Sequence, residues 1–202
     1  MLALWTAAHP DATARRLACY AALEIVHAVE QFNRSLKVRH FPIRIGLHSG
    51  YISLGNVGAM GHYEYRAVGD IVNTASRMEG LNKYLGTHIL VSEEVVYLLD
   101  GFLKRPLGKF VLAGKSKPVE INELICKAES SSDTYKKLCS IFARGVDACQ
   151  RRSWEEAIGF FNNALAMDQT DGPSMFYLAL AENHRSDPPA ADWDGTIYLT
   201  EK

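Results

Sequence analysis

Cysteine is scarce and scattered in this chain. Its 202 residues hold four cysteines, Cys19, Cys126, Cys139 and Cys149, and no two stand at CxxC spacing. That argues against a disulfide framework or a thiolate zinc site. Reduced thiols in a cytosolic protein are the expectation. Long hydrophobic runs are missing too. No apolar stretch approaches the ~18 residues that a membrane span needs, so no membrane segment is expected here. Met1-Leu2-Ala3-Leu4-Trp5 is apolar, but His9-Pro10-Asp11 interrupts it, which does not suit a signal peptide. Neither sign of charge is in excess. Twenty-two Lys and Arg against 23 Asp and Glu give a formal net charge of -1, which supplies no general attraction to nucleic acid or to an anionic membrane. Hydrophobic content of 48% is ordinary and is enough for one packed domain with a small appendage.

What is present is a change of hydrophobic period along the chain. Met1 to Trp5 reads as the end of a strand. Pro10-Asp11 opens a helical stretch in which Ala14, Leu17, Ala18, Ala21, Ala22, Ile25, Val29 and Phe32 form one apolar stripe, from about 12 to 36. Ile43 to His48 alternates at strand period. Ser49-Gly50 supplies a turn, and Tyr51 to Gly58 reads as the returning strand, with the glycine-rich tract Gly55 to Gly61 as a loop. Val68, Val72, Ala75, Met78, Leu81 and Leu85 fit a helix from about 70 to 84 that Gly86 stops. Ile89 to Val91 is a short buried strand, and Ser92-Glu93-Glu94 begins a helix reaching about Leu99. Strands near 103–112 and 119–126 come next, joined by Ala113 to Pro118. Mixed strands and helices in one unit predict an α+β fold.

Beyond the polar linker Ser130 to Asp133 the pattern is helical only. Phe142, Gly145, Ala148, Trp154, Ala157, Ile158, Phe161, Ala164 and Leu165 resemble one tetratricopeptide repeat, and Asp171-Gly172-Pro173 opens a further helix from Ser174 to about Asn183. Fewer than about three such repeats rarely stand alone, so this appendage is expected to pack on the main domain or on a partner. Pro188 to Lys202 carries too little apolar content to assign.

The stretch richest in chemistry is Tyr63-Glu64-Tyr65-Arg66-Ala67-Val68-Gly69-Asp70-Ile71-Val72-Asn73-Thr74-Ala75-Ser76-Arg77-Met78-Glu79. Asn73 and Arg77 are four residues apart and share a helix face. Such a pair can be no more than a solvated polar face. It can also hold charge developing on a phosphate or a ribose hydroxyl. The string Val68-Gly-Asp-x-Val-Asn-x-Ala-x-Arg77 resembles the signature helix of the class III nucleotidyl cyclases, which make cyclic AMP or cyclic GMP. The resemblance implies a ferredoxin-like cyclase domain over 1–127, then a linker over 128–134, a tetratricopeptide-like segment over 135–185 and a tail over 186–202. It implies that Asn73 orients the ribose and Arg77 stabilises the reacting phosphate.

Arg44-Ile45-Gly46-Leu47-His48-Ser49-Gly50 is similar to the family's strand and turn after its metal site, which implies that Arg44 contacts the nucleotide phosphates. Arg44 can equally be a strand arginine paired with a carboxylate, and His48 reads better as a packed or turn-stabilising histidine. Gly114-Lys115-Ser116-Lys117-Pro118 matches a late hairpin whose lysine reaches the terminal phosphate. Lys115 is the candidate, although Ala113 stands where family members often carry a further lysine. Arg66 occupies a position that usually holds an acidic or small hydroxyl residue reading the purine edge. Arginine only donates and cannot accept from the adenine amine. Either the backbone selects the base or Arg66 turns out to pair with an acid such as Glu64.

The family holds two Mg2+ or Mn2+ ions with two aspartates, and Met1 to Trp5 resembles the segment just after the second aspartate. The resemblance therefore implies an N-terminally incomplete cyclase domain without metal ligands, inactive alone, and a sheet that lacks a central strand. It implies ATP as substrate, and a homodimer or a complementary cyclase subunit as partner. It also implies a cytoplasmic location, with an upstream sensor in a full-length parent able to anchor it to a membrane. Adenylate cyclase is the expected activity, since the segment looks like bacterial adenylate cyclases with such a tail. Guanylate cyclase is one alternative. Another is a degenerate, non-catalytic module whose helical tail binds a protein partner through Trp154, Phe161, Phe176 and Tyr177, residues that core packing explains equally well.

Overall fold

The computed structural model describes residues 1–9, 11–36, 40–59 and 62–199. The expectations at Pro10, at Gly61 and at 200–202 fall outside them. Helix α1 (Ala12–Ser35) begins where the Asp11 carboxylate accepts from the Thr13 amide at 2.8 Å, an N-cap that satisfies one orphan donor. It buries Ala18, Cys19 and Ala22 and leaves Leu17 and Phe32 exposed, so the stripe read from sequence is only partly covered. Strand β1 (Ile45–Leu47) comes next. Strands β2 (Ser53–Ala59) and β3 (His62–Val68) form a separate antiparallel pair. Helix α2 (Asp70–Leu85) ends at Gly86, whose φ of 66° is the left-handed cap that glycine supplies without strain. Then come β4 (Ile89–Ser92), the short α3 (Glu93–Val96), β5 (Phe102–Val111) and β6 (Val119–Lys127). A 3-10 turn over Ala128–Ser130 leads into α4 (Asp133–Gln150), α5 (Trp154–Met167) and α6 (Gly172–Ser186), and β7 (Ile197–Tyr198) closes the order.

The main sheet runs β1-β4-β6-β5-β7. β1 is parallel to β4 and β7 to β5, while β6 is antiparallel to both neighbours. Alternation along β4 sends its side chains to opposite faces. Leu90 joins Met78, Leu81 and Leu85 of α2 together with Phe142, Phe161 and Tyr177 of the helical segment. Ile89 and Val91 join Cys19 and Ala22 of α1 and Val95 and Val96 of α3. The helical segment thus shares one core with the sheet. Phe161 and Tyr177 are buried there, so neither belongs to an exposed contact surface. Gly145 makes this packing fit, because a Cβ there would stand 2.5 Å from the Phe161 ring.

Several sequence expectations change. Met1 to Trp5 is not a strand, and its large side chains are exposed. No strand among the described residues lies beside it to complete a ladder. Tyr51 to Gly58 does not return against β1. It pairs instead with His62–Val68, so Gly55 to Gly58 lie in a strand rather than a loop. The helix after Ser92 stops at Val96, and the Ser92 hydroxyl makes no cap. The tail contributes β7, two residues beside Phe110 and Val111.

One buried ion cluster joins sheet and helical segment. Arg105 of β5 is 1% exposed. Its Nη1 donates to both carboxylate oxygens of Asp171 at 2.9 Å, and its Nε and Nη2 donate to Glu123 Oε2 at 2.9 and 2.6 Å. Asp171 also accepts from the Ser174 amide as the N-cap of α6. The guanidinium lies 4.8 Å from the centre of the Phe142 ring. Removing one partner of such a cluster strands the others in an apolar interior, at a cost of about 3–5 kcal/mol. Arg105→Ala is therefore expected to lower unfolding stability by about 3–5 kcal/mol. Urea denaturation checks this, and a loss below about 1 kcal/mol, the scale of a surface pair, would contradict it.

Candidate functional site

The site is built on α2, and α2 lies where it does because of Gly46. A Cβ on Gly46 would stand 2.2 Å from the Ala75 carbonyl oxygen and 2.6 Å from the Glu79 amide nitrogen. Only glycine lets helix backbone and strand backbone come this close. Asn82, fully buried, fixes the contact. Its Nδ2 donates to the Ile45 carbonyl at 3.0 Å, and its Oδ1 accepts from the Thr87 hydroxyl at 2.8 Å. The buried face of α2 is Thr74, Met78, Leu81, Asn82 and Leu85. Asn73 is exposed and Arg77 half-buried beside that face, one turn apart.

The turn between β5 and β6 closes over Arg77. Gly114, at φ 66°, has no Cβ. One placed there would lie 3.1–3.6 Å from the Arg77 guanidinium. Arg77 Nη1 is buried and has no hydrogen-bond partner among the described residues. A buried, unpaired donor on a cation is costly unless something completes it. The next residue, Lys115, has a side chain 14% exposed and forms an ion pair with the Asp70 carboxylate at the start of α2. That hydrogen bond holds the Asp70 carboxyl below its usual range. Two cations and one carboxylate therefore meet where the hairpin turn crosses α2.

Arg44 and Arg66 are each engaged elsewhere. Arg44 Nε donates to Glu79 Oε1 at 3.1 Å, the carboxylate pairing that the sequence offered as its alternative. Arg66 Nε donates to Glu64 Oε2 at 2.7 Å on the exposed β2–β3 pair, the outward pairing also foreseen. Arg66 borders an open cleft lined by Leu2, Leu4, Leu54, Tyr65 and Ala67. The sequence reading missed Asp70 as the partner of Lys115. It noted the Gly-Asp start, but 45 residues separate the two groups and no local pattern links them. Among the described residues, no group of three or more His, Cys, Asp or Glu side chains is arranged to hold a metal ion.

His48 stands just after β1 and is 13% exposed at its side chain. Its Nδ1 lies 2.8 Å from the Ser92 hydroxyl and 3.9 Å from Glu94 Oε2. Burial lowers its pKa, and Lys115 pushes the same way, against Glu94 and Asp70. The folded protein thus binds this proton less tightly than the unfolded chain. Its stabilising contribution is complete above the ordinary imidazole range, near 6.5, and is lost as pH falls through the lowered value. Wild type is expected to lose more stability between pH 7.5 and 5.5 than His48→Asn does, as read by urea midpoints. Equal losses would contradict the burial argument.

The family model described as the adenylate and guanylate cyclase catalytic domain matches residues 5–144. Adenylate cyclase 1 of Rhizobium meliloti is 38% identical over 129 residues, covering 62% of this chain and 19% of that protein. The adenylate cyclase of Anabaena cylindrica is 35% identical over 118 residues, covering 53% of this chain and 24% of its own. Human retinal guanylyl cyclase 2 is 38% identical over 105 residues, 44% of this chain and 9% of that one. The crystal structure of the adenylyl cyclase CyaB from P. aeruginosa is similar at 28% identity and a TM-score of 0.48, covering 60% of this chain and 62% of that one. The chain spans a quarter or less of the length of these curated relatives. With a single family model matching most of its length, the chain belongs to the adenylate and guanylate cyclase catalytic-domain family.

Proposed function

We propose that this chain carries the phosphate-binding part of an adenylate cyclase site, which turns ATP into 3',5'-cyclic AMP and pyrophosphate. The ribose 3'-hydroxyl loses its proton to solvent as its oxygen attacks the α-phosphorus, the bond from that phosphorus to the bridging oxygen breaks, and pyrophosphate leaves. Charge builds on the phosphoryl oxygens as this happens. Preorganised donors in a dry site stabilise such charge better than water can. The observation that carries the reading is the buried Nη1 of Arg77, unpartnered among the described residues and set against the Gly114-Lys115 turn. A phosphate oxygen would complete it. In this reading Arg77 stabilises the α-phosphate and Asn73, exposed one turn earlier, orients the ribose. Lys115 takes the terminal phosphate. Arg44 joins the phosphates on leaving Glu79, and Arg66 lies at the base edge.

The divalent ions would be held by a complementary cyclase subunit, or by a longer form of this chain in a homodimer, and this chain is inactive alone. Its cyclase part is 1–127, and the helices over 135–185 brace it. The outer edge of β1, unpaired among the described residues, and the exposed Leu54, Val57, Tyr65 and Val68 support an assembled form. Among the described residues no helix is long and apolar enough to cross a membrane. One observation favours guanylate cyclase instead. Arg66 is a donor, and the guanine edge offers acceptors where adenine offers an amine.

Cyclic nucleotide formation from ATP and from GTP, with Mn2+ or Mg2+, tests the reading on this chain and on a form extended upstream. Cyclic AMP from the extended form is the expected product, and cyclic GMP would transfer the reading to guanylate cyclase. Arg77→Ala is expected to lower kcat by about 10²–10³ with no loss of thermal stability, since it removes an unsatisfied buried donor. Unchanged turnover would remove Arg77 from the reaction. Silence of folded protein in both forms would favour the non-catalytic module.

A further inference from the structure

We infer that Asp70 is a built-in counter-ion for Lys115, which holds the lysine beside Arg77 when no phosphate is bound and yields it when a polyphosphate arrives. This rests on the phosphate reading of the Arg77 site. The geometry is specific. Lys115 is 14% exposed at its side chain while Asp70 is 80% exposed. The ammonium group is therefore enclosed and fixed, and its carboxylate partner faces solvent. Lys115 Nζ also lies 3.5 Å from the Asp70 carbonyl oxygen, and the Lys115 amide donates to the Leu112 carbonyl at 2.9 Å. Lysine is a flexible cation that loses rotamer freedom on being ordered. An intramolecular carboxylate meets that cost before the ligand comes. The exchange moves no proton. Lys115 stays an ammonium throughout, and its carboxylate partner is replaced by phosphate oxygens.

The arrangement makes a prediction of unusual sign. A carboxylate in the first turn favours the helix through its dipole, so Asp70→Asn should not strengthen the fold. It should nevertheless strengthen anion binding, because it frees Lys115 and removes the competing charge. A residue with only a structural role would weaken binding or leave it unchanged.

Inorganic tripolyphosphate is the probe, titrated calorimetrically into the full chain. Asp70→Asn is expected to bind it about two- to fivefold more tightly than wild type, the range of a partly exposed ion pair. Lys115→Ala should bind more weakly. In the Lys115→Ala background, Asp70→Asn should change affinity by less than about twofold, because the carboxylate acts through the lysine. Equal tightening in both backgrounds would mean simple removal of charge and would overturn the inference. So would unchanged or weaker binding by Asp70→Asn, provided wild type binds in an Arg77-dependent way. Absence of binding in wild type, Asp70→Asn and Arg77→Ala alike would instead sink the phosphate reading, and the inference with it. Binding by Asp70→Asn alone would support both. If Asp70→Asn does not fold, Asp70→Ser, which also removes the charge at the helix start, carries the same expectations.

Discussion

A helix can lie against the backbone of a strand only where no Cβ stands between them, and in this chain that place is Gly46. The Ala75 carbonyl and Glu79 amide of α2 approach so closely there that even a methyl group would collide. Every candidate residue at the hairpin junction depends on this contact. Asp70, Asn73 and Arg77 are carried by α2 itself. Arg44, just before β1, reaches the same helix through Glu79. Lys115 reaches its first turn through Asp70. The buried amide of Asn82 keeps the helix from sliding along the strand, since it bonds to the Ile45 carbonyl and to Thr87 at once. Close packing removes freedom, and the buried polar bonds then select one register.

The far end of α2 is held just as tightly. A Cβ on Gly172 would lie 2.3 Å from the Leu85 carbonyl oxygen, so α6 starts directly on the turn where α2 ends. The Asp171 that caps α6 is the same residue that chelates Arg105 in the sheet. Helical segment, sheet and α2 therefore meet at one buried charged point. Such a cluster is weak evidence of net stability, because desolvation offsets much of its attraction. Its effect here is geometric. It allows one seating of the helices on the sheet, and the aromatic group of Phe142, Phe161 and Tyr177 fills in around it.

The sequence was most legible where a single period runs for several turns and meets a clear stop. Helix α2 could be read from its apolar spacing and Gly86, and α1 from its alanine ladder. The one-turn spacing of Asn73 and Arg77 was enough to place them on one helix. Arg66 and Glu64 could be offered as a pair from charge alone, while the strand that sets residues two apart on one face was not read from the sequence. The rest depended on contacts that no local pattern encodes. β2 looked ready to return on β1, and nothing within Ser53–Ala59 says that its partner is β3. β7 is two residues long, too short for any period. Asp70 and Lys115 carry no mark of each other in sequence. The aromatics of the helical segment fitted a surface and a core equally well, and only the sheet beneath them buries Phe161 and Tyr177 while Trp154 and Phe176 stay partly exposed.

The charge and the uncovered surface of the molecule lie close together. β1 is paired on one side only among the described residues, to β4. α2 packs across β1 at Gly46, and His48, one residue beyond its end, feels the charges of both Asp70 and Lys115. An unpaired strand edge is a template for further backbone. Among the described residues Arg77 keeps one buried guanidinium nitrogen without a hydrogen-bond partner at this junction. The junction holds two cations and one exposed carboxylate, and the strand whose outer edge is unpaired among the described residues is the one that α2 crosses at Gly46.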